Sequence, residues 1–413
     1  MVSGVSAQSL SLTHYVSLDG FGGVEQQFAE FAVRAARMPD VRQSVVACSS
    51  GVHLHHRDAL ACVEGWRYEK KIVGIKLGHQ PAALRRARYC WLARRLAPDV
   101  ALLWNRLGQQ ERVLDALGER HCLYWEHGSA WLAGEETAKA AVLARLPAVI
   151  CNSYAAKRML ELRWRYDGVV RVCLNGMRAA DVVTEPKRLP RNRPLRLGAA
   201  CRLVPIKATC LVLHTLSALR ARGVDVVLEI AGDGPLRADL EALAQGLGIA
   251  DSVRFLGVVR DMRGFFRRVD MLLHPALREP FGVVAAEAGA MGCPVVCTAV
   301  DGLPEVVQQG QTGLCVPATA DLARYRALGG ETEGLPPAVY VPATDSVESP
   351  RVCEPDALAD AVSAIVADRE RFQRFSAAAI EQVPARFDFD RHVAEVLDAA
   401  REYNATGTLE PTP

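Results

Sequence analysis

Two glutamates eight positions apart, Glu279 and Glu287, frame the stretch richest in chemistry, which opens Arg278-Glu279-Pro280-Phe281-Gly282. The pattern predicts Glu279 in a loop and Glu287 inside a helix over about 283–291, with one buried strand ending near His274 and another at 294–298. Carboxylates beyond the C-terminal ends of such strands line the crevice where open α/β sheets bind ligands. Phe281, Gly282 and Val283 offer backbone N–H groups at the positive end of the helix dipole, a place suited to an anion or a row of hydroxyls. Carboxylates bind hydroxyls and amides bind phosphate. The ligand that fits both is part sugar and part phosphate, as a nucleotide sugar is.

Other residues point the same way. Arg202 and Lys207 flank the loop after a strand at 195–200. They read either as surface cations or as the partners of a leaving diphosphate, whose charge grows as the sugar bond breaks. Cations at a helix start oppose the dipole, which weakens the first reading. Gly232, in Ala231-Gly232-Asp233-Gly234-Pro235, turns a strand into a helix, and Gly22 and Gly23 do so after a strand at 10–18. The turn at Gly22 and Gly23 either approaches a phosphate or needs glycine for its geometry alone. A dinucleotide fingerprint would place a third glycine where Glu25 stands, which disfavours a nicotinamide or flavin site. His127 lies just past a strand at 122–126, and both a site role and a packed role stay open for it. No His, Cys or carboxylate cluster has metal-ligand spacing, and the twelve scattered cysteines read as small core residues in a reducing compartment.

The elements that must hold these groups alternate, strand then helix, through two successive runs of the 413-residue chain. This predicts an α/β fold with parallel sheets covered on both faces. The expected divisions are a first domain at 1–177, a linker at 178–194, and a second domain at 195–388. A helix at 389–404 is expected to pack back on the first domain, with a loose tail at 405–413. Within the second domain, 318–350 lacks periodicity and reads as a surface excursion that leaves the site untouched. Residues 1–185 carry 24 Lys and Arg against 18 Asp and Glu, while 186–413 carry 25 against 29, so the halves are +6 and −4. Lys70–Leu96 holds eight of those cations and no acid, interleaved with Tyr89, Trp91 and Leu92. It reads as a solvated face or as a surface that meets anionic lipid. With no run of eighteen apolar residues and no signal-peptide pattern, the expectation is a soluble cytoplasmic protein without nucleic-acid partners.

In this order and spacing the motifs resemble the retaining nucleotide-sugar glycosyltransferases of family four, over nearly the whole chain and most densely from Asn175 to Pro317. Asp301-Gly302-Leu303-Pro304-Glu305 adds to the resemblance. It implies the GT-B architecture, two Rossmann-like doubly wound domains facing a central cleft, with the acceptor on the first and the donor on the second. It further implies that Arg202 and Lys207 hold the donor diphosphate, Glu287 the ribose, and Glu279 with the amides of Phe281, Gly282 and Val283 the transferred sugar. Gly22 and Gly23 would approach the diphosphate and His127 the reaction centre, with neither metal nor cofactor required. By family frequency the donor is a UDP-sugar, and the acceptor is a glycan or lipid-linked molecule of the bacterial envelope, such as lipopolysaccharide. The enzyme is then expected on the inner face of the cell membrane. Two alternatives are a GT-B sugar-nucleotide epimerase, which usually lacks the Glu279 and Glu287 arrangement, and a non-catalytic scaffold, which would have lost Arg202, Lys207 or Glu279.

Overall fold

The computed structural model describes residues 9–20, 22–49, 51–69, 71–72, 75–76, 82–177 and 183–412. Phe21, parts of the basic segment (70, 73–74 and 77–81) and residues 178–182 of the expected linker lie outside them. The chain forms two units, Met1–Gly176 with Phe389–Pro413, and Met177–Asp388.

The first unit is built on strands β1 (Leu10–Val16), β2 (Val41–Ala47), β3 (Gly65–Tyr68), β6 (Val100–Leu103), β7 (Cys122–Glu126), β8 (Ala148–Cys151) and β9 (Val169–Val172). The two-residue strands β4 (Lys71–Ile72) and β5 (Ile75–Lys76) pair only with each other. The main sheet is parallel in the order β3-β2-β1-β6-β7-β8-β9. β6, β7 and β8 are buried at every residue, as continuous apolar runs such as Val-Ala-Leu-Leu require when helices cover both faces. β3 was not expected: its four residues sit at the sheet's edge, three of them exposed, and show no apolar alternation.

Phe28, Phe31, Trp104 and Trp125 meet mainly edge-to-face in this unit's core. The C-terminal helix Phe389–Thr406 adds Val393, Val396, Leu397, Ala400 and Tyr403 to the same core. The Tyr403 hydroxyl donates to the Glu119 carbonyl at 2.7 Å. The described residues beyond this helix, 407–412, are not loose. Leu409 is buried, Thr412 N–H donates to the Val170 carbonyl, and Val172 N–H donates to the Thr412 hydroxyl, so residue 412 lies beside β9.

The second unit carries β10 (Leu195–Ala200), β11 (Val226–Ala231), β12 (Val253–Gly257), β13 (Met271–His274), β14 (Val295–Thr298) and β15 (Gly313–Val316). These are parallel in the order β12-β11-β10-β13-β14-β15. Of the expected linker, 183–194 is packed on this unit: Arg193 reaches both carboxylate oxygens of the buried Asp270 at 2.7 Å, and Lys187 N–H donates to Ser376. Both sheets are doubly wound, with strand order reversing between β1 and β6 and between β10 and β13. Those reversals are where α/β sheets open a crevice for ligands.

The segment 318–350 departs from its expectation. It contains a helix at Leu322–Ala327 and an antiparallel hairpin of β16 (Val339–Val341) and β17 (Ser346–Glu348), and it buries Tyr325, Leu328 and Val339. In the basic segment, the helix Ala82–Leu96 turns Tyr89 and Leu92 inward and leaves Leu84, Arg86, Trp91, Arg94 and Arg95 exposed. Arg88 does not join that outer face, because its guanidinium donates to the Tyr68 and Lys71 carbonyls.

Candidate functional site

At the reversal in the second sheet, β10 leads into the Arg202 loop and β13 into the Glu279 loop. Arg202 is exposed, and a 3-10 turn at Pro205–Lys207 follows it. The Gly232 turn beyond β11 lies against this loop. A Cβ on Gly232 would sit 1.8 Å from the Cys201 carbonyl oxygen, and one on Gly234 would sit 2.4 Å from that of Leu203. Gly232 also has φ +138°, so glycine is required there on two counts. Leu277 N–H donates to the Ile206 carbonyl at 2.9 Å, which joins the Arg202 loop to the Glu279 loop.

Across that junction the Lys207 ammonium meets the Glu279 carboxylate at 2.5 Å, and His274 Nε2 lies 3.1 Å from the same oxygen. The three side chains are 20, 16 and 3% exposed, so the group is largely withdrawn from water. Burial opposes ionisation of Glu279. The Lys207 charge and the His274 hydrogen bond outweigh it and hold the carboxyl well below the usual carboxylate range. At neutral pH Glu279 is therefore ionised and acts as a hydrogen-bond acceptor.

Gly282, at φ +107°, ends the loop and caps the helix Val283–Ala290. Phe281 is buried edge-on against Phe387, and Glu287 lies half-buried in the second turn. The first-turn amides of this helix have no helical carbonyl to bond and carry the positive end of its dipole. An anion or a hydroxyl row placed there would satisfy them. No group of three or more His, Cys, Asp or Glu among the described residues is placed to hold a metal ion.

Sequence reasoning gave no site role to two residues here, His274 and Asp301, the second of which entered only as part of the Asp301–Glu305 motif. His274 was read only as a strand end, although a polar residue closing a buried apolar strand is itself a signal. Asp301 accepts from the Glu279 N–H at 3.0 Å and is fully buried. It works on the backbone of a residue 22 positions away, a relation without a local pattern.

In the first unit, Gly22 caps the helix Gly23–Ala35 and its N–H donates to the Glu25 carboxylate at 3.0 Å. Glu25 thus takes the amide that a phosphate would use, while a Cβ on Gly23 would meet open space. His127 stacks on Trp104 at 5.4 Å with the rings 4° apart, and packs on Trp125 at 4.8 Å. Burial, and secondarily His392, push its pKa down to about 3, so the ring is neutral at physiological pH. Its Nε2 is buried with no hydrogen-bond partner among the described residues. The preceding Glu126 fixes the turn, its carboxylate accepting from the N–H groups of Gly128 and Ala130 and from the Tyr124 hydroxyl. Ser17 Oγ and Asn175 Oδ1, just beyond β1 and β9, are likewise buried without partners. Such atoms at the C-terminal edge of a parallel sheet are groups a polar ligand would satisfy.

Residues 194–326 match the family model "Glycosyl transferases group 1". That region belongs to the group 1 glycosyl transferases. The matched part holds Arg202, Lys207, Glu279, Glu287 and Asp301. Among curated relatives, D-inositol 3-phosphate glycosyltransferase of Streptomyces scabiei is 36% identical over 174 residues, covering 39% of this chain and 39% of its own length. The lipopolysaccharide core biosynthesis glycosyltransferase LpsE of Rhizobium meliloti is 33% identical over 172 residues, covering 41% and 48%. The chain thus spans less than half the length of these two relatives. The structure of Anabaena HepE in complex with UDP and glucose superposes with a TM-score of 0.68 at 17% identity, covering 95% of this chain and all of that one. The fold of the chain is accordingly GT-B, two parallel-sheet α/β units of seven and six strands.

Proposed function

We propose that the protein is a retaining, metal-independent glycosyltransferase. It moves a hexosyl or N-acetylhexosaminyl group from a nucleotide diphosphate sugar, UDP-linked by preference, to a hydroxyl of a glycan or lipid-linked acceptor in lipopolysaccharide or other envelope synthesis. The observation that carries this reading is the Lys207, Glu279 and His274 group at the strand-order reversal of the second sheet, beside the helix end at Gly282. The GT-B fold shared with HepE, whose structure holds UDP and glucose, and the similarity to LpsE support the choice of donor and pathway.

On this reading Arg202 and Lys207 take the diphosphate charge that grows as the glycosidic bond breaks, with the first-turn amides of the helix Val283–Ala290. Glu287 holds the ribose. Glu279, kept ionised by Lys207 and His274, orients the sugar hydroxyls. The acceptor attacks on the face the diphosphate leaves, and the departing phosphate oxygen takes the acceptor proton, so no protein base is needed. Within the first unit, Gly22 and Gly23 are proposed for a phosphate and His127 for a ligand hydroxyl, the latter as a neutral ring whose buried Nε2 has no hydrogen-bond partner among the described residues.

No helix among the described residues is long and apolar enough to cross a membrane. We assign the acceptor-side contact to the inner face of an anionic membrane, through the exposed Leu84, Trp91, Arg86, Arg94 and Arg95. The test is incubation with UDP-, GDP- and ADP-sugars in water. Slow donor hydrolysis supports a transferase, conversion to an isomeric donor supports an epimerase, and no binding or turnover of any donor refutes the reading.

A further inference from the structure

The loops that carry Lys207 and Glu279 are both held by the segment 318–350. Asp301, wholly buried just past β14, joins three stretches of chain through its carboxylate and backbone. Its Oδ2 accepts from Glu279 N–H at 3.0 Å and its Oδ1 from Tyr340 N–H at 2.8 Å. Its own N–H donates to the Tyr340 carbonyl at 2.9 Å, and the next N–H, of Gly302, donates to the Glu279 carbonyl at 3.1 Å. Gly302 lies so close to the Glu279 loop that a Cβ there would be 2.3 Å from the Pro280 oxygen. A second brace comes from Tyr325, 1% exposed, whose hydroxyl donates at 2.7 Å to the carbonyl of Pro205 in the Lys207 turn.

The residue type at 301 is informative. Its φ of +48° is left-handed, a conformation that glycine takes most easily and that Asp and Asn tolerate better than other residues. A carboxylate can accept two amides at once, one on each oxygen. Asn would turn an NH2 toward one of the two donors, and Gly would offer neither acceptor. The chain thus accepts a disfavoured backbone at a position where the side chain links the hairpin β16–β17 to the amide of Glu279.

We propose that Asp301 is a positioning residue of the donor site and that through it the hairpin 339–348 sets where the Glu279 carboxylate meets the transferred sugar. The inference rests on the glycosyltransferase reading above. The bonds that lead from Asp301 and Gly302 into the site end on the backbone of Glu279, so the proposed effect falls on the sugar half of the donor and acts through Glu279.

The experiment compares wild type with Asp301→Asn, Asp301→Gly, Glu279→Gln and the double variant Asp301→Asn with Glu279→Gln. The probes are UDP and whichever UDP-sugar the wild type hydrolyses. In Asp301→Asn the expected result is at least a tenfold lower kcat and weaker binding of the UDP-sugar, with the Kd for UDP within twofold. Asp301→Gly should lose as much or more. The double variant should be no slower than Glu279→Gln alone, since a residue acting through Glu279 has nothing left to position. Turnover of Asp301→Asn within twofold of wild type overturns the proposal, as do additive losses in the double variant or a parallel loss of UDP and UDP-sugar binding. Should the variants fail to fold, hydrogen exchange on the wild type decides. UDP-sugar, and not UDP, should slow exchange in 275–282 and 337–348 together, and slowing confined to 275–282 overturns the proposal. A wild type that neither binds nor hydrolyses any nucleotide sugar fails the functional reading itself, an outcome distinct from all of these.

Discussion

Replacing Lys207 by Ala has two separable consequences, one for turnover and one for stability. The ammonium sits 2.5 Å from the Glu279 carboxylate, with the side chains 20 and 16% exposed. Removing one partner of a fully buried pair costs about 3–5 kcal/mol, and an exposed pair contributes at most about 1. The partial burial here places the loss near 2 kcal/mol, roughly a 4–8 °C lower melting point for a unit of about 200 residues. Glu279, deprived of the cation that offsets its burial, should titrate at higher pH than in the wild type. Turnover should fall further than stability explains: losing one preformed donor to a developing negative charge costs about 2.7–4 kcal/mol, or 10²–10³ in kcat. The assay is donor hydrolysis with thermal unfolding on the same samples, for Lys207→Ala, Glu279→Gln and the double variant. Glu279→Gln in the Lys207→Ala background removes the stranded carboxylate, so it should recover much of the lost melting temperature and none of the turnover. Recovery of turnover by the double variant, or a kcat within threefold of wild type in Lys207→Ala, refutes the diphosphate role.

Arg202→Ala should lower kcat by a similar 10²–10³ with the melting temperature unchanged, because its side chain is exposed; near-normal turnover by a folded variant removes it from the mechanism. The product should keep the donor's anomeric configuration by NMR, and a glycosyl adduct trapped on Glu279 would replace same-face attack with double displacement. His14 and His392 are buried among Phe28, Phe31, Trp104 and Gln43 in one case and Trp125, Phe389 and the Leu174 carbonyl in the other, and burial lowers both to about 4. A folded pKa below the unfolded value of 6.5 means the unfolded chain binds more protons in between. The first unit should therefore be fully stable above pH 6.5 and lose up to about 1.4 kcal/mol per pH unit per histidine toward pH 4, and His392→Gln should flatten that fall in near-UV circular dichroism melts. Changing Arg86, Arg94 and Arg95 together to Glu should abolish salt-sensitive co-sedimentation with anionic vesicles, and unchanged sedimentation would make the helix 82–96 an ordinary solvated face.

The two sheets were legible because parallel strands buried on both faces must be written as unbroken apolar runs. Cys122–Glu126 and Leu195–Ala200 coincide with their expected bounds, and β13 ends at His274 as expected. Where burial is slight the signal fades. β3 is an exposed edge of four residues, and β16 and β17 have three each and owe their place to Asp301 and Val339 rather than to an apolar face. The loop positions of Glu279, Lys207 and Arg202 beyond β13 and β10 could be read from the alternation of strand and helix. The pairing of Lys207 with Glu279, and the support from His274, Asp301 and Tyr325, could not, because they join residues brought together by folding. The expectation that 318–350 leaves the site untouched failed for the same reason. Its backbone bonds to Asp301 leave no trace in hydrophobic periodicity.

The helix Phe389–Thr406 is part of the first unit's core although it is synthesised after the whole of the second unit. Residues 177–388 are contiguous, so the second unit can fold as a closed stretch while the ribosome is still at work, as domains commonly do during synthesis. The first unit must wait. Until Val393, Leu397, Ala400 and Tyr403 arrive, the apolar faces of Leu10, Leu12, Phe28 and Trp125 lack their cover, and the Glu119 carbonyl lacks the Tyr403 hydroxyl. The amino-terminal half is thus the later of the two to mature. A chain that stops after Asp388 would therefore damage the first unit more than the second.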